Sequence, residues 1–309
     1  MNTNWGKNMS IEKKCFIVCI FIASLLLLAT SVIFAKTYMS HADRWSSKKN
    51  PTSNTAHTTY NILSQNLSSV SITPAIQTEK ANTLINLATT HTPDIICLQN
   101  ASCDIVNAID TSFASANYNK VLFYADATNS NSTPIYYDIN KFNLVNSGYY
   151  WLSDTPNVSS NTWNEDKSYI VTWVILKDIT NDKTFGITNI ELSKNADAQT
   201  KSLHCITENC CSTFNGIECI LCGTFNCTTN DESFNIVDSK YTNLSVISNK
   251  LFNIGPTSTN NTPKYNDDYV YDYAFGSENI KCDRYAVLKD HVTQTNGLTN
   301  YGIMSNIYF

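Results

Sequence analysis

The sequence predicts an α/β domain built from many short strands and few helices. Short runs of apolar and β-branched residues alternate with polar loops along most of the chain, which is the pattern of buried or half-buried strands. Residues 75–90 differ, because Ala81, Leu84, Ile85 and Leu87 recur there at helical spacing. Strands combined with an intervening helix are typical of a layered α/β domain.

The predicted strands follow one another from residue 60 to the end of the chain. They cover residues 60–63, 95–98, 120–124, 133–137, 170–176, 184–190, 217–222, 269–275 and 301–309. Three polar segments, 125–131, 157–167 and 256–268, are predicted to be long loops. The chain after residue 35 is long enough for one large single-core domain or two small ones.

The first 58 residues divide into three segments of different character. Residues 1–14 form a tail, residues 15–35 an uncharged apolar run, and residues 36–58 a polar tether to the domain at 59–309. As a helix, the apolar run matches the thickness of a bilayer core. We interpret it as a transmembrane signal anchor, because it exceeds the usual core of a signal peptide; a signal peptide cleaved near Ala35, which would yield a secreted protein, is the alternative.

Seven Asn-x-Ser/Thr sequons follow the apolar run and favour a luminal or extracellular domain. A chain this rich in Asn, Ser and Thr also produces sequons by chance. Two of them, at Asn100 and Asn226, fall in the motifs described below, where a residue cannot be both buried and glycosylated. The remaining five are candidates for glycosylation: Asn66, Asn131, Asn157, Asn243 and Asn260.

Eleven cysteines are many for a cytosolic protein, and six of them fall between residues 205 and 227. Cys219 and Cys222, with Cys210 and Cys211 upstream, superficially have the spacing of zinc ligands. The first two lie in an apolar run that is typical of a buried strand, so we expect instead one or two disulfides that tie the loop at 205–211 to its neighbours. The nine cysteines beyond the apolar run are an odd number, which leaves at least one thiol free or paired with another chain.

The charge pattern argues against general nucleic-acid binding. The net charge is −5, and the 21 Lys and Arg residues are scattered along the chain. A nucleic-acid binder usually concentrates them in a basic patch.

Several short motifs carry a resemblance to a known family. In chain order they are residues 60–64 (YNILS), 93–99 (PDIICLQ), 147–156 (SGYYWLSDTP), 172–173 (TW), 189–192 (NIEL), 223–226 (GTFN), 271–273 (YDY) and 299–303 (TNYGI). Their order and spacing resemble the endonuclease/exonuclease/phosphatase superfamily, which has the DNase I-like fold. The resemblance implies a four-layer α/β/β/α sandwich of two packed mixed β-sheets over residues 59–309.

The family hydrolyses phosphate esters with a Mg²⁺ or Mn²⁺ ion held by carboxylates, a general base and polar donors to the phosphate. Most positions that the resemblance assigns to this chemistry hold other residues. Asn100 stands in place of a metal-ligating Glu, Glu191 in place of a phosphate-contacting His, and Thr224 in place of an Asp that orients the nucleophile. The resemblance therefore implies a degenerate pocket.

The remaining positions that the resemblance assigns to the chemistry also indicate a degenerate pocket. Thr299 and Asn300 stand where the family has the base and its partner Asp, and neither accepts a proton near pH 7. Tyr169 replaces an Arg that often binds phosphate. The positions that keep a family residue, and that can still orient a ligand by hydrogen bonds, are Asn61, Asn226 and Asp272.

Two arrangements would restore activity. Asp290 and His291 could be a displaced acid and base, and Glu191 with Asp272 could form a new metal site, which a lysine partner for Glu191 would rule out. Four other histidines match no motif and are expected at the surface: His41, His57, His91 and His204.

We therefore expect a membrane-anchored, catalytically inactive domain that acts as a binding or interaction module, with no cofactor. Its partner would be a protein or a phosphate-containing ligand. The alternative is a divergent Mg²⁺- or Mn²⁺-dependent phosphodiesterase or phosphatase that acts on a membrane-associated or secreted substrate. A third hypothesis is a structural surface protein whose loop 256–268 makes the contacts with its partner.

Overall fold

The strands of this computed structural model form two mixed β-sheets. The structure describes residues 57–69, 73–258, 269–289 and 297–309. The predicted signal anchor at 15–35, most of the tether, and His41, Asn260, Asp290 and His291 lie outside these ranges. Within them, no helix is both long enough and apolar enough to cross a membrane.

The first sheet has seven strands in the order β10-β12-β13-β1-β2-β4-β3. Its central strand, β1, runs parallel to β2 on one side and antiparallel to β13 on the other. The bounds are β1 Tyr60–Asn66, β2 Ile95–Gln99, β3 Tyr118–Val121, β4 Ile135–Asp138, β10 Lys250–Phe252, β12 Lys281–Leu288 and β13 Gly302–Tyr308.

The second sheet has six strands in the order β5-β6-β7-β8-β11-β9. Here β7 and β8 run parallel, and β11 pairs antiparallel with β8. The bounds are β5 Phe142–Trp151, β6 Ile170–Asp178, β7 Thr184–Glu191, β8 Glu218–Thr224, β9 Thr242–Asn243 and β11 Asp272–Gly276.

Five helices accompany the sheets in the described ranges: α1 Pro74–His91, α2 Cys103–Ser115, α3 Ala196–Thr213, α4 Phe234–Asp238 and α5 Leu244–Ile247. The predicted helix at 75–90 is confirmed as α1. Its start follows from the sequence, since Thr73 accepts a hydrogen bond from the backbone N–H of Ile76 and Pro74 occupies the first helical position.

Two apolar clusters hold the layers together. One contains side chains from both sheets, among them Tyr60, Cys97, Val174, Ile187 and Cys222, all buried, so the sheets pack face to face. The other joins the outer face of the second sheet to α3 and α4. Two stacked mixed sheets with helices outside them are the architecture that the resemblance implied.

Parts of the sequence-based element assignment were wrong. Residues 205–211, expected to be a loop, lie within α3, and neither α2 nor β12 was predicted. The strand predicted at residues 170–176 is confirmed as β6, although both of its faces are buried and such strands lose the usual alternation of apolar and polar residues. His91, expected at the surface, lies on the buried side of α1, whereas His57 and His204 are exposed.

The expected disulfides are absent from the described chain. All nine cysteines from Cys97 to Cys282 are free. Cys210 and Cys219 are buried in the cluster between α3 and the second sheet, where they serve as small apolar side chains. Burial raises the pKa of the Cys210 thiol to about 11, so it carries no charge at neutral pH.

Three of the predicted glycosylation sites are buried in the fold. Asn66, Asn131 and Asn243 are each at most 6% exposed, and a glycan needs a solvent-accessible amide. The amide nitrogens of two of them are also engaged within the domain: that of Asn66 donates to the hydroxyl of Thr224 and that of Asn131 to the carbonyl of Ser168. Asn157 is exposed, and glycosylation there stays a prediction.

Candidate functional site

The ends of four strands and the start of a fifth meet at one edge of the two sheets. In the first sheet Asn66, the last residue of β1, lies beside Gln99, the last residue of β2. In the second sheet Glu191 at the end of β7 lies beside Thr224 at the end of β8. Thr224 in turn pairs with Asp272 at the start of β11. This convergence brings residues that are far apart in the sequence into one place.

A cleft of about 770 Å³ opens at this edge, within the range of small-molecule sites. Its lining is almost entirely polar and comes from the strand ends and the loops that follow them. The lining residues are Asn66, Ser68, Asn100, Asn164, Glu165, Asp166, Lys167, Tyr169, Glu191, Ser193, Lys194, Asn195, Asn226, Ser258, Tyr271, Thr299 and Asn300.

A chain of side-chain hydrogen bonds runs along the floor of the cleft. The amide of Asn66 donates to the hydroxyl of Thr224 over 2.7 Å. That hydroxyl donates to Oδ1 of Asp272 over 2.6 Å. The amide of Asn300 donates to the other oxygen, Oδ2, over 2.8 Å. Both carboxylate oxygens of Asp272 therefore have protein partners.

Asp272 is a buried acid with an unusual protonation equilibrium. The side chain is only 2% exposed, and burial raises its pKa to about 6. The hydrogen bonds from Thr224, Asn300 and Thr257 favour the charged form and partly offset this rise, whereas the charge of Glu191 adds to it.

A lysine, Lys167, forms part of the cleft wall. Nζ of Lys167 lies 2.6 Å from Oε1 of Glu191 and also donates to Oδ1 of Asn100. The backbone N–H of Asn100 donates to the second oxygen of Glu191 over 3.2 Å. The same ammonium lies 4.9 Å from the ring centroid of Tyr169. Glu191, which is 4% exposed, is thus paired and hydrogen-bonded at both oxygens.

Asn100 connects this ion pair to the hydrogen-bonded floor. It has a φ of +54°, in the left-handed region that asparagine adopts more readily than most residues. Its amide donates to Oδ1 of Asn66 over 2.9 Å and to the hydroxyl of Ser68 over 2.7 Å. One polar network therefore extends from Lys167 to Asn300.

Asn226 also has a left-handed backbone, with a φ of +52°. Its amide donates to the carbonyl of Leu192 over 2.6 Å, which ties the segment after β8 to the segment after β7. Gly223, three residues earlier, allows these strands to approach, because a Cβ there would lie 1.9 Å from the carbonyl oxygen of Ile190. The position of Asn226 in the cleft thus depends on a close β7–β8 pairing.

Several solved structures have the same architecture. An endonuclease/exonuclease/phosphatase family protein from Bacteroides thetaiotaomicron superposes with a TM-score of 0.74 over 82% of this chain and 99% of that chain, at 19% identity. A mannosyl-6-phosphatase from the same organism gives 0.73 over 81% and 100%, also at 19% identity. Zebrafish (D. rerio) TDP2 with a single-stranded DNA product gives 0.61 over 81% and 99%, at 13% identity.

The chain has the endonuclease/exonuclease/phosphatase fold. The predicted resemblance is confirmed at this level. No protein-family model matches the sequence, and no curated protein matches it. At these identities the likeness establishes the fold, and the chemistry has to be argued from the side chains of this chain.

The endonuclease/exonuclease/phosphatase-like domain brings most of the sequence-predicted positions together. Six of them line the cleft: Asn100, Tyr169, Glu191, Asn226, Thr299 and Asn300. Thr224 and Asp272 lie beneath them, each at most 2% exposed. The prediction was wrong for Asn61, whose side chain accepts a hydrogen bond from Asn306 over 2.7 Å. Asn61 is at the other end of β1, about 17 Å from Asn66 at the usual rise of a strand.

Sequence reasoning missed Asn66, Ser68 and Lys167 as site residues. Asn66 was noted only as a sequon, although it ends β1 as Asn100 follows β2, and strand ends on one edge of a sheet meet. Lys167 lay in a predicted loop and matched no motif. Its position depends on the loop reaching Glu191, which is 24 residues away in the sequence.

The proposed metal site at Glu191 and Asp272 does not form. Glu191 is paired with Lys167, which was the condition expected to rule this site out. The carboxylate of Asp272 accepts hydrogen bonds from Thr224 and Asn300. In the described ranges, no cluster of three or more His, Cys, Asp or Glu side chains could hold a metal ion.

Proposed function

We propose that the endonuclease/exonuclease/phosphatase-like domain binds a ligand in the cleft without hydrolysing it. The observation that carries this proposal is the ammonium of Lys167, which bonds both Glu191 and Asn100. A divalent cation bound by Glu191 and Asn100 would have to displace the ammonium of Lys167. It would then find one carboxylate and one neutral amide, which is the lower limit of the one or two carboxylates that usually hold Mg²⁺ together with substrate phosphates.

The general-base position supports the same proposal. The resemblance assigns the general base to the segment at Thr299 and Asn300. The side-chain amide of Asn300 donates a hydrogen bond to Asp272. Asp272 is the acid nearest to that role, but both its oxygens accept hydrogen bonds from the protein beneath the cleft. A base must lie within hydrogen-bond reach of the water it deprotonates, and Asp272 faces the floor instead.

The proposal includes a location. Residues 15–35 would anchor the protein in a membrane by a single span, with the domain luminal or extracellular, or would direct secretion if they are cleaved. The sequence suggests two kinds of partner, a protein and a phosphate-containing ligand. The charge of the cleft lining disfavours the phosphate-containing ligand. The cleft lining contains three acids and two lysines, and one of these lysines is already paired.

The alternative function is a divergent Mg²⁺- or Mn²⁺-dependent phosphodiesterase or phosphatase. Two observations favour it: Asn66 and Asn226 lie in the cleft, and the pKa of Asp272, raised to about 6 by burial, is in the range useful to a general base. The similarity in fold to a mannosyl-6-phosphatase fits this alternative as well.

The deciding experiment uses the purified full-length chain. We would measure hydrolysis of bis(4-nitrophenyl) phosphate and 4-nitrophenyl phosphate with Mg²⁺, with Mn²⁺ and with EDTA, beside Glu191→Gln. Glu218→Gln, which changes a carboxylate that bonds Ser277 and Asn279 outside the cleft, is the matched control. We expect no metal-dependent turnover and no rise in Tm with metal. Turnover that requires metal and is lost only in Glu191→Gln would establish the phosphoesterase instead.

A further inference from the structure

The charged groups of the cleft are largely compensated within the protein. Lys167 is paired with Glu191, and Asp166 accepts a hydrogen bond from the hydroxyl of Tyr169 over 3.0 Å. Lys194, at the rim, is the second lysine of the lining and is exposed. Three acids against two lysines leave the lining slightly negative, with Asp272 beneath it. An anionic ligand therefore gains little electrostatic attraction here.

The remaining polar groups both donate and accept hydrogen bonds. The lining contains six carboxamide side chains and four hydroxyl side chains of Ser and Thr. Carboxamides and hydroxyls each offer donors and acceptors. A ligand hydroxyl has the same dual character, so a ligand that carries several hydroxyls is the best match to this surface.

The carboxylate of Glu165 favours a ligand that carries a hydrogen-bond donor. One of its carboxylate oxygens accepts a hydrogen bond from the hydroxyl of Ser193. Its other oxygen, Oε1, is buried and has no partner in the described structure. The backbone of Glu165 is pinned to Asn161 by hydrogen bonds of 2.8 and 3.0 Å. A buried carboxylate oxygen without a partner is costly, and a ligand hydroxyl that enters beside it would satisfy it.

The lining of the cleft also includes aromatic surface. Tyr271 lines the cleft, and its ring stacks on that of Tyr269 with centroids 5.6 Å apart and planes 2° from parallel. Such a pair presents a broad, flat and partly apolar surface with a hydroxyl at its edge. This is the kind of surface on which the C–H face of a sugar ring can lie.

We propose, building on the binding function above, that the cleft takes an uncharged polyhydroxylated ligand of the saccharide class. The carboxamides and hydroxyls bind its hydroxyl groups, and Glu165 accepts from one of them. The paired Lys167 makes phosphorylated sugars poorer ligands than their neutral counterparts, since its charge is already compensated by Glu191.

The test is ligand-observed NMR and calorimetry on the full-length chain, kept in a detergent without a sugar headgroup. The probes are methyl glycosides of glucose, galactose, mannose and N-acetylglucosamine, with glucose 6-phosphate and inorganic phosphate as anionic counterparts. We expect saturable binding of at least one neutral glycoside, weaker binding of the anions, and about tenfold weaker glycoside binding in Glu165→Gln. Glu218→Gln should bind as the unmodified chain does, and both variants should keep its Tm.

The outcomes separate this inference from the proposed function. Tighter binding of glucose 6-phosphate or phosphate than of any neutral glycoside would overturn the ligand class and leave a binding module in place. No binding of any neutral glycoside would overturn it too. Glycoside binding that is unchanged in Glu165→Gln would remove the role assigned to that carboxylate. Only metal-dependent hydrolysis of phosphate esters would overturn the binding function itself.

Discussion

The side chains of Lys167 and Glu191 meet in the cleft wall, with the ammonium nitrogen 2.6 Å from the carboxylate oxygen. The same ammonium donates to Asn100, which stands where the sequence resemblance expects a metal-ligating Glu. A positive charge belonging to the chain thus occupies the side of the cleft where a cation would otherwise be needed. This relationship leads to the first prediction.

Removing the ammonium of Lys167 and replacing the amide of Asn100 by a carboxylate should create a metal site. In the double variant Asn100→Glu/Lys167→Ala, two carboxylates would face each other in place of one carboxylate, one amide and one ammonium. We expect Mn²⁺ to raise the Tm of this variant, because an ion that binds only the folded state stabilises it. Differential scanning calorimetry with and without Mn²⁺ measures the effect.

The single variants are the controls. Lys167→Ala alone leaves the nearly buried Glu191 unpaired and should lower the free energy of unfolding by about 1–3 kcal/mol. Asn100→Glu alone keeps Lys167 beside the new carboxylate and should show no Mn²⁺ effect. An equal Mn²⁺ shift in the unmodified chain would contradict the view that Lys167 takes the place of a cation.

The second prediction concerns the hydroxyl of Thr224. It accepts from Asn66 and donates to Asp272, and all three side chains are buried. Thr224→Val keeps the shape but leaves one donor and one acceptor unsatisfied, so we expect a loss of about 2–4 kcal/mol in the free energy of unfolding. Urea denaturation should show Thr224→Ser close to the unmodified chain. Equal losses in both variants would indicate a packing defect instead of a lost hydrogen bond.

The third prediction follows from the raised pKa of Asp272. Burial raises this pKa from 3.8 to about 6 in the folded state, so the folded protein holds the proton more tightly than the unfolded chain. The resulting stability is complete below about pH 4 and is lost as pH rises through about 6. A shift of this size corresponds to about 3 kcal/mol.

The measurement is the difference in unfolding free energy between the unmodified chain and Asp272→Asn from pH 4 to pH 7. The unmodified chain should lose stability relative to the variant over this interval. Asp182→Asn, which changes an exposed carboxylate, should give a flat difference. A flat difference for Asp272→Asn as well would mean that Asp272 is charged in the folded state at all these pH values.

The fourth prediction concerns Lys80, which supports the segment next to the cleft. Its side chain is buried on α1 and donates to the carbonyl of Leu67 over 2.8 Å, next to Ser68 in the lining. Burial lowers the pKa of Lys80 from 10.5 to about 8. The unfolded chain therefore binds the proton more tightly, and the stability contribution of Lys80 is present above about pH 10.5 and lost as pH falls through about 8.

Unfolding measured from pH 7.5 to pH 10.5 should show this difference. The unmodified chain should gain about 1–3 kcal/mol relative to Lys80→Met as pH rises over this interval. Lys177→Met, which removes an exposed lysine paired with Asp182, should give no such gain. A gain of the same size for Lys177→Met would assign the effect to general charge repulsion.

The sequence predicted the site only where a local pattern was informative. Asn100, Glu191 and Thr224 were found because each follows or ends a recognisable apolar strand. Asn61 was predicted as a site residue and Asn66 was not, although both stand in β1, because the sequence does not show which end of β1 lies at the cleft. Lys167 was missed because its partners are 67 and 24 residues away.

The amino-acid sequence by itself determined the layered α/β architecture and the identity of the residues at most site positions, because strand periodicity and motif order are properties of neighbours along the chain. Only the tertiary structure decided that Lys167 pairs with Glu191, that Asp272 is enclosed by Thr224 and Asn300, and that the cysteines are free. These contacts join side chains that only the packing of two sheets brings together, and burial in that packing sets their charge states.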